Sequence, residues 1–467
     1  MNQPLRHEIS SPPAAARMVV IMPNWLGDGV MATPFLRALR ATYPRAYIAA
    51  LRLPLIMPVL AGLTIIDEAH EYRHQEEKAA LEWLRAGRFE VAYILPNSFR
   101  SAWMVWRAGI KRRIGYARGG RGWLLTKGLQ AQRRSWGEFQ EAQRRRWMQD
   151  QIANELRREG NPAVHSGGRH RMHLMLLGQR VWPWRGYKPV PTIAYYLRLV
   201  EATCAEGGGQ IIRETTPRNM SSPPPPGPLS MMAPLVPLTE NIERRRMTLV
   251  LTDAERSEGG RVLAGQGIDP GDDLVMLVPG ANFGSSKCWP AQRFAQVADR
   301  LLDRQGAYRA TVLLAGAPAE KPIIDAIVAA SLLAGRGRLI ALTSLNEGRG
   351  VSLGCVKALV ARARLMICND TGPRHFAGAL GIPVVTLFGP TDPVWAETFY
   401  DRERQVRMVP PPPCGPCQRK RCPIDHRCMM GLEVADVMGA VAELWALPRG
   451  ERWGAEGWGD GGVVRVR

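Results

Sequence analysis

The sequence predicts an α/β protein of two doubly wound domains, and three observations predict it. Short apolar runs alternate with helical apolar spacing from Arg17 to Leu95 and again from Leu274 to Phe388, the rhythm of strands joined by crossover helices. A Pro-rich break, SSPPPPGPLSMMAPLVPL from Ser221 to Leu238, separates these halves and has little capacity for regular structure. Finally, Leu365 to Pro393 reads strand, turn, helix, strand, turn. Such a βαβ unit makes the sheet parallel.

The first domain spans 17–220. Arg17 to Met22 is its first buried strand, Pro23 to Gly29 a turn, and Val30 to Arg40 a helix. Tyr47 to Leu53 is a strand, Val59 to Asp67 a further apolar stretch, Glu77 to Arg85 an amphipathic helix, and Val91 to Leu95 another strand. The pattern weakens over 130–186, where Arg, Gln and Trp dominate and Glu138 to Arg158 reads as a basic helix. Helical spacing returns at Ile193 to Glu206. The linker takes 221–247.

The second domain spans 248–449. Thr252 and Glu255 form a capping-box signature at the start of a helix. Strands follow at Leu274 to Val278, Ala310 to Leu314 and Leu339 to Ala341, with helices at Gln292 to Leu302, Lys321 to Leu333 and Leu353 to Ala363. In the βαβ unit, Leu365 to Cys368 is an apolar strand, Asn369 to Pro373 stops it, and Pro373 suits the first turn of the next helix. Gly381 and Pro383 end that helix before the strand Val384 to Phe388. The tail, 450–467, reads as disordered.

A 467-residue chain with 46% hydrophobic and 22% charged residues has the composition of a globular protein. Its net charge of +20 does not. Such a field favours nucleic acid, anionic headgroups or phosphorylated glycans, although a general bias towards Arg accounts for part of it. Met1 to Ala16 is polar and Pro-rich, and the apolar run at Met18 is too short for a signal peptide. No stretch approaches a membrane-spanning length. A cytosolic chain is expected. Four of the eight cysteines are scattered, whereas Cys414, Cys417, Cys422 and Cys428 cluster over 414–428. In a reducing compartment this spacing suits a structural Zn²⁺ site with His426 as a spare ligand; reduced structural cysteines or a disulfide fit it as well.

Three loops carry candidate chemistry. Asp28, after the first strand, has the type and position of a general base for a hydroxyl, although taken alone it reads first as a helix N-cap. Gly27 and Gly29 permit close backbone approach, but the pattern is not the dinucleotide fingerprint. The loop PGANFGSSKCWP exposes backbone N–H groups at Ser285 and Ser286 and adds the charge of Lys287, a combination suited to phosphate. Asp370, Thr371, Gly372 and His375 open a helix whose N-terminus suits a diphosphate. A satisfied cap and a core histidine are the plainer readings. Gly389 to Pro393 lies near the same sheet edge.

Six ordered segments resemble the ADP-heptose:lipopolysaccharide heptosyltransferases of glycosyltransferase family 9, the heptosyltransferase II branch in particular. They are PNWLGDGVMATPFLRAL, RRIGYARGGRGWLLT, KPVPTIAYYLRLVEA, PGANFGSSKCWPAQRFAQVADRL, NDTGPRHFAGALGIPVVTLFGPTDP and the Cys cluster with Cys422-Pro423 and His426-Arg427-Cys428-Met429. The resemblance implies a GT-B fold, two Rossmann-like domains facing a cleft. It implies inverting transfer of L-glycero-D-manno-heptose from ADP-heptose to the heptose of a lipid A–Kdo–heptose acceptor, with no cofactor or metal required for catalysis. Asp28 would be the base. Lys287, Ser285 and Ser286 would hold the diphosphate, Asp370, Thr371 and Gly372 the donor heptose and phosphate, and His375 would line the pocket. Where the family has a Ser-Leu-Glu segment this chain reads TSLNEGRGVSLG, so Glu347 or the Gly354 position is its counterpart and Glu347 the candidate ribose contact.

The resemblance places the enzyme at the inner face of the inner membrane, its basic surface towards anionic lipid, with no nucleic acid as partner. The alternatives are a family 9 enzyme with another donor or acceptor, a nucleic-acid-binding protein using the Arg and Trp of 103–147, and a non-catalytic sugar-nucleotide sensor.

Overall fold

The computed structural model describes residues 16–131, 151–152, 189–204, 242–335, 338–448 and 462–466. Most of the basic segment 130–186 and of the linker 221–247 therefore lies outside the described residues, as does most of the tail.

Two parallel sheets form the molecule. The first orders its strands β3-β2-β1-β4-β5-β6. These are β1 (Arg17–Ile21), β2 (Tyr47–Arg52), β3 (Glu68–Glu71), β4 (Val91–Ile94), β5 (Arg112–Tyr116) and β6 (Lys127–Leu129). The second has the order β13-β12-β11-β10-β7-β8-β9. Its strands are β7 (Leu274–Val278), β8 (Thr311–Leu314), β9 (Leu339–Ala341), β10 (Leu365–Asn369), β11 (Val384–Leu387), β12 (Glu403–Met408) and β13 (Gly462–Val466). Central strands are apolar throughout, with all five residues of β7 and of β10 buried, as a sheet covered on both faces requires.

The helices of six or more residues in the first half are α1 (Leu26–Met31), α2 (Thr33–Thr42), α3 (Glu77–Ala86), α4 (Phe99–Arg107) and α5 (Thr192–Cys204). The second half adds α6 (Asp253–Gly265), α7 (Ala291–Leu302), α8 (Lys321–Ala330), α9 (Leu353–Arg362), α10 (Gly372–Leu380) and α11 (Val434–Trp445). The Thr252–Glu255 capping box forms, and Gly381 ends α10 in the left-handed region at φ 77°.

The structure differs from the sequence reading at several elements. The turn at Pro23 to Gly29 is already helical from Leu26, so Asp28 sits in the first turn of α1. After the apolar stretch Val59 to Asp67 comes an edge strand the sequence reading did not assign, the polar Glu68–Glu71, which needs no apolar pattern because it is half solvated. Residues 462–466, expected to be disordered, pair in parallel with β12.

The halves meet along one seam. Lys357 of α9 is fully buried, pairs with Glu255 at 2.8 Å, and donates to the carbonyls of Pro58 at 2.7 Å and Val250 at 2.8 Å. Thr248 N–H donates to Thr33 Oγ1 at 2.9 Å, and Thr192 Oγ1 donates to the Trp395 carbonyl at 2.7 Å. Strand order reverses beside β1 in one sheet and beside β7 in the other. Crevices at such switch points, outside the strands' carboxyl ends, are where open α/β sheets bind ligands.

Candidate active site

β7 and β10 are adjacent and parallel, with Val278 level with Cys368, so the loops after them leave the same edge. Asn369 fastens these loops together. Its side-chain amide donates to the Pro279 carbonyl at 2.6 Å and its oxygen accepts from Trp289 N–H at 3.2 Å. Lys287 then reaches Asp370. Its Nζ lies 2.5 Å from Asp370 Oδ2, 3.1 Å from the Asp370 carbonyl and 4.9 Å from the centre of the Phe283 ring. Thr391, in the loop after β11, donates to the same Oδ2 at 2.8 Å.

Behind Asp370 stands Arg374, one turn into α10. Its Nη1 is 3.7 Å from Asp370 Oδ1, and its Nε and Nη2 grip Glu403 at 2.5 and 2.8 Å. Glu403 also accepts from Thr386 and Thr398, each at 2.6 Å. All of these groups are buried, and a buried pair holds only when such additional hydrogen bonds complete it. Burial alone would push Asp370 up; Lys287 and Arg374 outweigh it and hold the carboxyl below its ordinary value.

Asp28 arrives from the other half. The α1 helix packs against α10 because two glycines allow it. A Cβ at Gly27 would stand 2.6 Å from His375 Cδ2, and one at Gly372 would stand 3.0 Å from Leu26 Cβ. This brings Asp28 within the fields of Lys287 and Asp370. Burial is the main cause that raises its carboxyl from 3.8 to about 6; Lys287 opposes that rise and Asp370 adds to it. Tyr196 of α5 is pushed well above its ordinary value, by burial first and then by the Asp28 charge. Burial, with the like charge of Arg374, lowers His375 to about 3, so its ring is neutral. Among the described residues its Nδ1 finds no hydrogen-bond partner.

The structure therefore brings Asp28, Lys287, Asp370 and His375 together. Thr371 is the N-cap residue of α10 but makes no side-chain cap, so with Gly372 it leaves the helix N-terminus free to meet an anion. Ser285 is exposed. Ser286 is buried: its hydroxyl donates to the Arg419 carbonyl at 2.5 Å and its N–H to the Lys420 carbonyl at 3.2 Å, bonds that anchor the loop. Glu347 stands on a turn at φ 59°, its side chain 86% exposed and paired at 3.2 Å with Arg349.

Cys414, Cys417, Cys422 and Cys428 line one small cavity together with His426 and Ser286. His426 Nε2 is 2.6 Å from the Ser286 carbonyl, which occupies that nitrogen. Among the described residues no group of three or more His, Cys, Asp or Glu is arranged to hold a metal ion. The four thiols are thus gathered beneath the Lys287 loop, as the spacing suggested. Sequence reasoning missed Arg374, Glu403 and Tyr196, and placed the loop of Thr391 at the sheet edge without giving Thr391 a role. Arg374, four residues after Asp370, carried a readable helical-pair signal; Glu403 and Tyr196 carried none.

The sequence profile of glycosyltransferase family 9 (heptosyltransferase) matches residues 79–144 and 247–427, more than half of the 467-residue chain. The chain belongs to glycosyltransferase family 9. Within that family it is similar to lipopolysaccharide heptosyltransferase 2 of Escherichia coli, 24% identical over 403 residues, covering 84% of this chain and 88% of that protein. The Salmonella typhimurium lipopolysaccharide heptosyltransferase 2 is 23% identical over the same shares. Among solved structures, the E. coli ADP-heptose heptosyltransferase II superposes with a TM-score of 0.59 at 22% identity, over 92% of this chain and 98% of that one. A family 9 transferase from Veillonella parvula gives 0.63 at 18%, over 93% and 98%. The fold of this family 9 chain is GT-B, as the resemblance implied.

Proposed function

We propose that the protein transfers heptose, with inversion, from ADP-L-glycero-D-manno-heptose to the heptosyl-Kdo inner core of lipopolysaccharide. The observation that carries this reading is the meeting across the seam of Asp28 with Lys287 and an uncapped helix N-terminus. The likeness to proteins named lipopolysaccharide heptosyltransferase 2 and to the solved E. coli ADP-heptose heptosyltransferase II supports the donor and acceptor.

In the reaction, an acceptor hydroxyl gives its proton to the Asp28 carboxylate as its oxygen bonds to the anomeric carbon of the heptose. The bond from that carbon to the β-phosphate oxygen breaks, and its electron pair leaves with ADP. Attack opposite the leaving group inverts the anomeric centre. Charge growing on the β-phosphate is met by Lys287 and the backbone N–H groups at the start of α10. Asp370 acts as a positioning residue, since both its oxygens face Lys287, Thr391 and Arg374. A base near pH 6 is ionised at neutral pH and still takes up a proton readily. His375, neutral, fills the seam. As the resemblance implies, transfer would need no metal.

Among the described residues no helix is long and apolar enough to cross a membrane. With its net charge of +20, the protein would work at the anionic cytoplasmic face of the inner membrane as a peripheral enzyme.

The deciding experiment offers purified protein ADP-heptose, ADP-glucose and GDP-sugars with a heptosyl-Kdo acceptor and determines the product linkage. Heptosylated product from ADP-heptose is expected. A failure to consume ADP-heptose while another donor is used would assign a different family 9 reaction.

A further inference from the structure

Helix α4 buries Ser101, Ala102, Met104 and Val105 against the first sheet. Its opposite face, at positions i, i+4 and i+7, is Phe99, Trp103 and Trp106. Trp123, from the turn after β5, joins them. Phe99 is 44% exposed, Trp106 43% and Trp123 63%. The four rings form one surface. Trp103 and Trp106 stack at 4.8 Å, Phe99 lies 6.1 Å from Trp103, and Trp123 is 6.1, 6.3 and 6.4 Å from Phe99, Trp103 and Trp106. Isolated exposed aromatics are ordinary, whereas a contiguous group marks an interaction site. Beyond the C-terminal end of α4 a groove is lined by Arg85, Arg88, Lys111 and Arg112, with Glu90 the acid on its wall.

We propose that this face docks the protein on an anionic bilayer. The Trp and Phe rings would enter the headgroup boundary and the cations of the groove would meet lipid phosphate. Two features favour a bilayer over nucleic acid. Trp103 and Trp106 stack on each other with planes 20° apart, so each occupies a face that a nucleic-acid platform would offer to a base. Amphipathic indoles beside Arg and Lys are also the composition that settles at a bilayer interface. The position suits this partner. β1 and β4 are adjacent and parallel, so the chain leading to Asp28 and the chain leading to Phe99 leave the same edge of the same sheet. An acceptor held in the bilayer under the Phe99 end of α4 is then presented on the Asp28 side of the cleft, while the groove, at the amino ends of β4 and β5, meets the bilayer at the other end of the helix. The inference deepens the reading of a lipid-held acceptor and is testable without any transfer reaction.

The test is flotation of the full-length protein with phosphatidylethanolamine vesicles, with and without phosphatidylglycerol. The wild type should bind the anionic vesicles, and the double variant Trp106→Ser/Trp123→Ser should bind them at least about tenfold more weakly. Turnover of a deacylated, soluble acceptor should stay within about twofold of wild type, since neither indole is placed at the cleft. Trp123→Ser alone, at the most exposed ring, serves if circular dichroism shows the double variant misfolded. Wild type that ignores anionic vesicles, variants that bind them as wild type does, or a loss seen for an oligonucleotide or a protein partner but not for vesicles, would each overturn the proposal. Soluble-acceptor turnover without vesicle binding removes the docking face and keeps the enzyme. Vesicle binding through these rings without heptose transfer does the reverse.

Discussion

Replacing Asp28 by Asn is expected to abolish transfer and, at the same time, to stabilise the folded protein near neutral pH. The carboxyl has an ordinary value of 3.8 and is raised to about 6 in the fold. Between those values the folded protein binds more protons than the unfolded chain, so its stability falls as pH rises through that window. The full difference corresponds to about 3 kcal/mol, at about 1.4 kcal/mol per pH unit. The side chain is partly open to the cleft, and water there screens part of the effect, leaving about 1–2 kcal/mol. Asparagine has nearly the same shape and carries no charge, so it removes this penalty. Urea unfolding of both proteins should show Asp28→Asn more stable at pH 7.5 by that amount, with the difference gone by about pH 4. ADP-heptose binding, by titration calorimetry, should be nearly intact. An Asn variant that transfers heptose, that loses binding and transfer equally, or whose stability relative to wild type is the same at both pH values would refute the reasoning.

Lys287→Ala should weaken ADP binding about 10- to 100-fold, the loss of a charge-assisted contact to phosphate worth about 1.5–3 kcal/mol; unchanged affinity removes Lys287 from the diphosphate site. Gly27→Ala sets a methyl 2.6 Å from the buried His375 ring, so kcat should fall while circular dichroism and ADP affinity hold; wild-type turnover would show that the seam tolerates separation. Dialysis against EDTA should leave the transfer rate unchanged, and a loss that Mg²⁺ restores would show a metal in the reaction.

The legible parts of the molecule were those where chemistry sits next to its own strand. Asp28, Lys287 and Asp370 each follow an apolar run that ends in turn residues, so both the strand and the loop announce themselves locally. Partners brought together by packing were silent. Glu403 lies 29 residues from Arg374 in the chain, and nothing in the pattern of β12 marks it as the carboxylate that holds that guanidinium. Edge strands were missed for a related reason: half solvated, Glu68–Glu71 carries no apolar signature. The cysteine spacing left a metal site, reduced thiols and a disulfide open, because spacing states proximity only. The direction of each donor depends on how Arg419 and Lys420 pass under Ser286, and that is a tertiary fact.

The two walls of the cleft differ in how their charges are held. On the donor wall Lys287, Asp370, Arg374 and Glu403 compensate one another in a continuous chain, buried from Asp370 inward and formed wholly within one half. On the acceptor wall Asp28 has no such network among the described residues. Its raised value comes chiefly from burial, and its two charged influences, Lys287 and Asp370, belong to the opposite half. Separating α1 from α10 would admit water and distance both charges, returning the carboxyl towards its ordinary value near 4 and making it a weaker base. The closeness of Gly27 to His375 and of Gly372 to Leu26 therefore sets more than packing. It ties the basicity of Asp28 to the presence of the donor wall, so that the acceptor hydroxyl is activated where the leaving diphosphate can also be received.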